Sequence, residues 1–316
     1  MAGNRDQVRG HMELFQEILT KVTLPIIVLV VLGYAMQSRL KLDVGTLNRL
    51  QVYVVMPAFF VHFLSSGRQP ISVIWPVVYM GIVQFLMIIP LGWLMAMALR
   101  MRPSLGPMMG LGAAYANVGF FGVPVTQLAF GSDYLIHQSV MAALMAILTT
   151  TVGVWIMAPA GGRPFDKLKS AFETPMIPSI VLGLGLRGFD VELPTLIGQP
   201  MQFLGSIFTP LALYTLGAQV AASRIGRIEW GPQTLVLFLK FLVAPALTWW
   251  ICHIMGLGAD VTTVIVVAAS TPVGVLITIF AAEYRMEADF ISTAVVISTA
   301  LSPIFVTAWI LAVRLC

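Results

Sequence analysis

Ten apolar stretches follow one another along this chain, at about 14–36, 47–65, 73–99, 106–131, 137–159, 175–187, 194–221, 232–256, 260–283 and 290–314. A helix rises about 1.5 Å per residue, and roughly 20 apolar residues carry it across the hydrocarbon of a bilayer. Most of the ten reach that length; the sixth is short and glycine-rich. Composition decides what kind of protein this is, with 58% of the residues hydrophobic and 10% charged. An ordinary soluble domain carries about a quarter of its residues charged. So few charges cannot cover a water-facing surface of this size, and the expectation is an all-α integral membrane protein of ten transmembrane helices.

Residues 1–13 read as a polar N-terminal tail. The first apolar segment has no small-residue cleavage site behind it, so it reads as a spanning helix and not as a removed signal peptide. The longest polar interruption, 160–174, divides the chain into 14–159 and 175–316, five spans in each. Cys252 and Cys316 form no CxxC, and the four histidines are scattered, so no metal framework is expected. Walker, GxGxxG, HExxH and GxSxG motifs are missing from the sequence. The basic residues stand singly or in pairs at loop ends, which argues against nucleic acid as a partner. A membrane-embedded enzyme would need His, Asp or Glu clustered near one membrane face, and none clusters; neither an enzyme nor a cofactor is expected. A channel would carry a polar stripe along several spans, whereas polarity here concentrates at two points in mid-span.

The first point is Asn117-Val-Gly-Phe-Phe-Gly-Val-Pro124, inside an apolar run from 106 to 131. Glycine loosens a helix, and proline removes a donor and clashes with the preceding turn. A helix broken in hydrocarbon is tolerated where it lines a protein-enclosed cavity, which makes this stretch a candidate binding site. The second point follows from an internal repeat. Pro25 and Pro57 stand 32 residues apart, as do Pro178 and Pro210. Phe85-Leu86 with Pro90 and Trp93 resembles Phe241-Leu242 with Pro245 and Trp249. Carried forward, the 153-residue offset sets Asn117 opposite Ser270, in Ala269-Ser270-Thr271-Pro272-Val273-Gly274. Five spans per copy is an odd number, so the second copy runs inverted relative to the first.

Charge placement orients the chain. Loops after spans 1, 3, 5, 7 and 9 hold eleven basic residues: Arg39, Lys41 and Arg49; Arg100 and Arg102; Arg163, Lys167 and Lys169; Arg224 and Arg227; and Arg285. The other face holds six: Arg5, Arg9, Lys21, Arg68, Arg187 and Arg314. Positively charged loops stay in the cytoplasm, so both termini are expected on the outer face of the membrane.

The Asn117–Pro124 string resembles the Asn-x-Gly-Phe-x-Gly-x-Pro signature of the auxin efflux carrier family, whose bacterial members include proteins proposed to carry malonate. Pro210-Leu-Ala-Leu-Tyr-Thr-Leu-Gly217 is similar to the family's span-seven string, and Leu47 to Pro57 fits a span closed by proline. The resemblance covers about 14–314. It implies the ten-helix, two-repeat fold shared with sodium/proton antiporters and bile-acid symporters. In that fold, broken helices 4 and 9 cross in mid-membrane, spans 1, 2, 6 and 7 form a scaffold, and spans 3–5 and 8–10 form a transport domain. It also implies organic carboxylates as substrates. Val118 stands where the plant carriers have proline, and the central loop is short, which argues against auxin itself.

Half-helix N-termini favour an anion and free carbonyl ends favour a cation. Asn117 can both donate and accept. The expected substrate-binding set is Asn117, Val118, Gly119, Gly122, Pro124, Ser270, Thr271, Pro272, Lys240 and Gln84. Gly119 and Gly122 are expected to let backbone approach backbone at the crossing. Asn117, Thr126 and Ser270 are candidate sodium ligands, and coupling to sodium or protons is left open. Lys240 is the basic residue well inside a span, roughly 12 Å along its helix from Pro232 and within reach of snorkelling; it reads equally as an interfacial anchor or as an internal cation. His62 and His253 read as interfacial. The resulting expectation is a transporter for a small organic anion working by alternating access, embedded in membrane lipid, with a homodimer as one assembly state. A sodium-coupled symporter of bile-acid type is the alternative.

Overall fold

The computed structural model describes residues 12–67, 72, 74–158, 175–223 and 228–315. Nearly all of the 1–13 tail, the whole 160–174 linker with Arg163, Lys167 and Lys169, and Arg68, Arg224, Arg227 and Cys316 lie outside the described residues.

Within them the fold is helical, with one isolated β-bridge. The segments in chain order are α1 (Met12–Leu40), α2 (Val44–Ser65), α3 (Ile74–Ala98), α4 (Leu105–Ala114), α5 (Val118–Phe130) and α6 (Ser132–Met157). They continue as α7 (Met176–Gly188), α8 (Thr195–Ala222), α9 (Trp230–Ile254), α10 (Ala259–Ser270), α11 (Leu276–Glu283) and α12 (Ala288–Arg314). Seven of them (α1, α2, α3, α6, α8, α9 and α12) are long and apolar enough to cross a membrane. The other five are shorter. The stretches read as spans four and nine are each a pair of short helices, α4 with α5 and α10 with α11, interrupted at 115–117 and 271–275.

Proline bends these helices without ending them. Pro25, Pro57, Pro124 and Pro245 each sit at one of the first two α-helical positions after a five-residue π-helical turn: Leu19–Thr23, Gln51–Val55, Val118–Gly122 and Leu239–Val243. A proline ring clashes with the carbonyl four residues back, and a turn widened by one residue relieves that clash.

Glycine sets the closest crossings. A methyl group at Gly33 of α1 would overlap the Tyr214 carbonyl of α8, and one at Gly217 of α8 would overlap the Val30 carbonyl of α1. α3 and α4 meet in the same way at Gly92 and Gly110. Lipid gives helices no hydrophobic reason to associate, so such small-residue contacts, which maximise dispersion between backbones, carry the packing. The largest buried cluster joins α3, α4, α6 and α9 to α12. A second ties α1, α5, α8 and α12, and a third α2, α6, α7 and α8.

Polar contacts sort the loops into two faces. Arg102, between α3 and α4, pairs with Glu229, just before α9, at 2.7 Å and with Glu287, just before α12, at 2.6 Å. Ser104 also donates to Glu287. The Arg102 hydrogen bond holds the Glu287 carboxyl below its ordinary range despite partial burial, and the two carboxylates raise the guanidinium in turn. On the opposite face, Arg314 at the far end of α12 donates to the Ala129 carbonyl, and Tyr134 at the start of α6 donates to Asp260 at the start of α10 at 2.7 Å. Loops after spans three, seven and nine thus share a face, as the charge count grouped them.

Candidate functional site

The two interruptions meet. Asn117 N–H donates to Pro272 C=O at 2.8 Å, and Gly274 N–H donates to Tyr115 C=O at 3.1 Å, which makes Ala116 and Val273 an antiparallel bridge. Each break therefore satisfies part of the backbone that the other leaves open, as groups deep in an apolar setting require. Ser270 ends its helix as Ala114 ends α4. The backbone partners, Pro272 to Gly274, lie within the Ala269–Gly274 stretch that the proline offset set opposite Asn117.

Asn117 starts the second half of the first pair. Its Oδ1 accepts from Phe120 N–H at 3.3 Å as an N-cap. Its carbonyl accepts from Phe121 and Gly122. Its Nδ2 is buried without a hydrogen-bond partner, although the residue is only 5% exposed. Among the described residues, the Gly119 N–H in the same first turn is likewise left without an acceptor. An amide and a main-chain N–H at a half-helix N-terminus are donors aimed where the helix dipole favours negative charge.

Those donors open on a cavity of about 320 Å³. The break contributes Tyr115, Asn117, Gly119 and Phe120; α2 adds Val52 and Met56, and α6 adds Ala142, Ala146 and Thr150. Met176 of α7 and Val275, Leu276 and Phe280 at the second break close it. α11 runs from the second break towards the Arg102–Glu287 face, and α6, which starts near Tyr134 on the far face, lines the cavity with its middle and second half, so the cavity lies on the Arg102 side. On the other side, Phe121, Pro124, Val125 and Thr126 are buried, and Thr209 of α8 donates to Gln127. Among the described residues no charged side chain lines the cavity; the polar side chains there are Asn117, Tyr115 and Thr150.

The expected site residues divide between the cavity wall and the buried interior around it. Asn117, Val118 and Gly119 line the cavity. Gly122, Pro124 and Thr126 are buried within the turn behind it, where a methyl at Gly122 would overlap the Gln138 amide; Gly119 has open space around it. The glycine that admits the crossing is Gly274, whose added methyl would overlap the Tyr115 ring. Ser270 and Thr271 are fully buried, and each hydroxyl donates back to its own helix, to Val267 and Ala268 at 2.8 Å. Gln84 is buried on α3 with its Nε2 unpartnered, and His62 and His253 sit in the last turns of α2 and α9. Lys240 does not snorkel: it is 0% exposed, and its ammonium donates to the Ala113 carbonyl at 3.4 Å, away from the cavity lining.

Three supporting residues had no place in the sequence reading. Gln138 of α6 donates from Nε2 to the Val118 carbonyl at 3.1 Å and steadies the turn. Ser298 of α12 accepts from the freed Val273 N–H at 3.0 Å. Tyr115 walls the cavity over Gly274. A glutamine inside an apolar span was a usable signal for the first; serine and tyrosine at such places look like ordinary packing.

Comparison with known proteins bears on the same region. Residues 163–310 match the family profile described as Membrane transport protein. An uncharacterised transporter of Methanothermobacter thermautotrophicus is 28% identical over 297 residues, covering 92% of this chain and 97% of the archaeal one. A proposed malonate transporter of Rhizobium meliloti is 25% identical over 318 residues, covering 94% of this chain and 96% of its own. Auxin efflux carrier component 1 of Arabidopsis thaliana is 28% identical over 109 residues, 34% of this chain and 18% of the plant protein.

Proposed function

We propose, on the premise that the chain carries a membrane transport domain of the auxin efflux carrier family, that it moves a small organic carboxylate across the membrane by alternating access. The substrate carboxylate binds at the joined breaks, with the Asn117 amide and the Gly119 N–H as donors. The single observation carrying this reading is the unpartnered Asn117 Nδ2, buried at a half-helix N-terminus that opens on a cavity. A buried donor without a partner costs about 1–3 kcal/mol, a penalty that an anion bound there removes. The apolar walls suit the carbon body of a small acid, and the helix termini offset its charge where, among the described residues, no cationic side chain lines the cavity.

In this reading the chain is not an enzyme. It is a ten-helix inverted repeat, with α4–α5 and α10–α11 as the crossing pairs, 14–159 and 175–316 as the two copies, and spans 3–5 and 8–10 as the moving part. The position of the cavity on one side of the breaks fits a transporter at rest in one of its states. With the Arg102 face in the cytoplasm, as the basic loops suggest, that state is open to the cell interior.

The test is uptake into liposomes holding the purified protein. Labelled malonate comes first, because of the Rhizobium meliloti relative, with acetate and isobutyrate beside it. Asn117→Ala is expected to lower uptake at least about tenfold, a loss of ~1.4 kcal/mol in transition-state stabilisation. Unchanged uptake in that variant sinks the site.

A further inference from the structure

Lys240 is the buried charge that the proposed transport cycle leaves unused. It lies in the π-helical turn Leu239–Val243 of α9, wholly enclosed, with no carboxylate within ion-pairing distance among the described residues. A charge buried so deeply needs a counterpart, and the backbone of α4 supplies one. In an unbroken helix the Asn117 N–H would close on Ala113 C=O, and the Val118 N–H on Ala114 C=O. Here the first donates to Pro272 and the second to Ala116. The carbonyl end of α4 is left open, carrying the negative pole of the helix dipole, and the Lys240 ammonium donates to Ala113 C=O.

The second break closes the matching end differently. α10 finishes in Ser270 and is followed by Thr271, whose hydroxyls donate to Val267 and Ala268. α4 finishes in Gly-Ala-Ala, with no hydroxyl to turn back. One carbonyl end caps itself and the other is met by a lysine from another helix. Opened carbonyl ends of broken membrane helices are where a transported cation is coordinated.

We propose that Lys240 is a tethered cation filling the carbonyl end of α4, so that this end of the crossover takes no exchangeable cation and anion movement needs no sodium. This rests on the transport reading above. Lys240 lies outside the cavity and acts through α4, as a positioning residue for Tyr115 and Asn117. Neutralising it empties a pocket shaped for one positive charge, which a small monovalent cation can then enter.

Two measurements test it. In the first, liposome uptake by wild-type protein is compared in sodium and in choline buffers at clamped membrane potential. Equal rates are expected, and a rate that collapses without sodium overturns the proposal. In the second, thermal unfolding in detergent is followed for wild type, Lys240→Arg and Lys240→Met as sodium or methylammonium chloride replaces choline chloride. The expected result is a midpoint of Lys240→Met that rises by several degrees with either cation, while wild type and Lys240→Arg stay still. A folded Lys240→Met that ignores both cations overturns the proposal in favour of simple packing. If Lys240→Met does not fold, folding in sodium or methylammonium but not in choline supports the proposal, and failure in all three counts against it. The unfolding assay needs no transport substrate, so its outcome is separable from failure of the transport reading, which shows as no uptake of any carboxylate by wild type.

Discussion

Tyr115 accepts the Gly274 N–H on its carbonyl and lays its ring where a Gly274 side chain would stand. One residue thus joins the breaks through its backbone, walls the cavity with its side chain, and fixes the partner position as glycine.

Gly274→Ala is therefore expected to force the Tyr115 ring aside, at the 1–3 kcal/mol typical of overpacking. Uptake should fall together with the unfolding temperature. Gly119→Ala is the control: it meets open space, and its unfolding temperature should match wild type. Equal thermal stability of both variants would contradict the packing described.

Gln138 acts on the first break from α6. Replacing it by leucine keeps the volume but removes the side-chain donor to the Val118 carbonyl, which keeps the Val123 N–H, a loss of about 0.5–1.5 kcal/mol for one hydrogen bond. The expected outcome is a lower unfolding temperature and weaker substrate affinity with the cavity still open, read by thermal unfolding and by the concentration dependence of uptake. Wild-type affinity in Gln138→Leu would remove it as a support.

How far the site was readable depended on whether a residue broke a local rule. Asn117, the glycines and Pro124 were visible because an apolar helix of that length tolerates none of them together. The outer bounds of the ten apolar stretches followed from length alone and match helix ends to within five residues, but length did not divide the fourth and ninth stretches into two helices each. The second break lies within the stretch Ala269–Gly274 that the proline offset set opposite Asn117, but the offset relates copies of a repeat and says nothing of which backbone groups pair, which depends on where α4 and α10 end. Tyr115 and Ser298 were invisible, since each resembles packing until a chain distant in sequence is laid beside it. Lys240 was conspicuous, but its counterpart is a main-chain carbonyl, and no side-chain pattern announces a carbonyl freed by a break.

The cavity gives a test independent of the polar residues. Ala146 lines it from the middle of α6, and Ala146→Trp would fill much of the space from a wall facing away from the breaks. Uptake of every carboxylate should fall at least about tenfold, with unfolding temperature close to wild type. Rapid uptake by Ala146→Trp would mean that substrate passes elsewhere.

The ion-pair cluster on the cavity's face makes stability depend on pH in a defined direction. Arg102 bridges Glu229 and Glu287 and so ties the starts of α4, α9 and α12 together. Arg102 keeps its charge at every usable pH, so only the carboxylates titrate. The Glu287 carboxyl is lowered in the folded protein; hence its contribution is fully present above the unfolded carboxylate value of about 4.3 and is lost as pH falls through the lower folded value. Arg102 and Glu229 are partly exposed, so the whole cluster contributes only about 1 kcal/mol. Arg102→Met should unfold at a lower temperature than wild type by a constant gap between pH 6 and pH 8, a range chosen well above that carboxylate value. The gap should then narrow below about pH 4 as the carboxylates of both proteins take up protons. A gap as wide in acid as at neutral pH would show that Arg102 stabilises the face by packing alone.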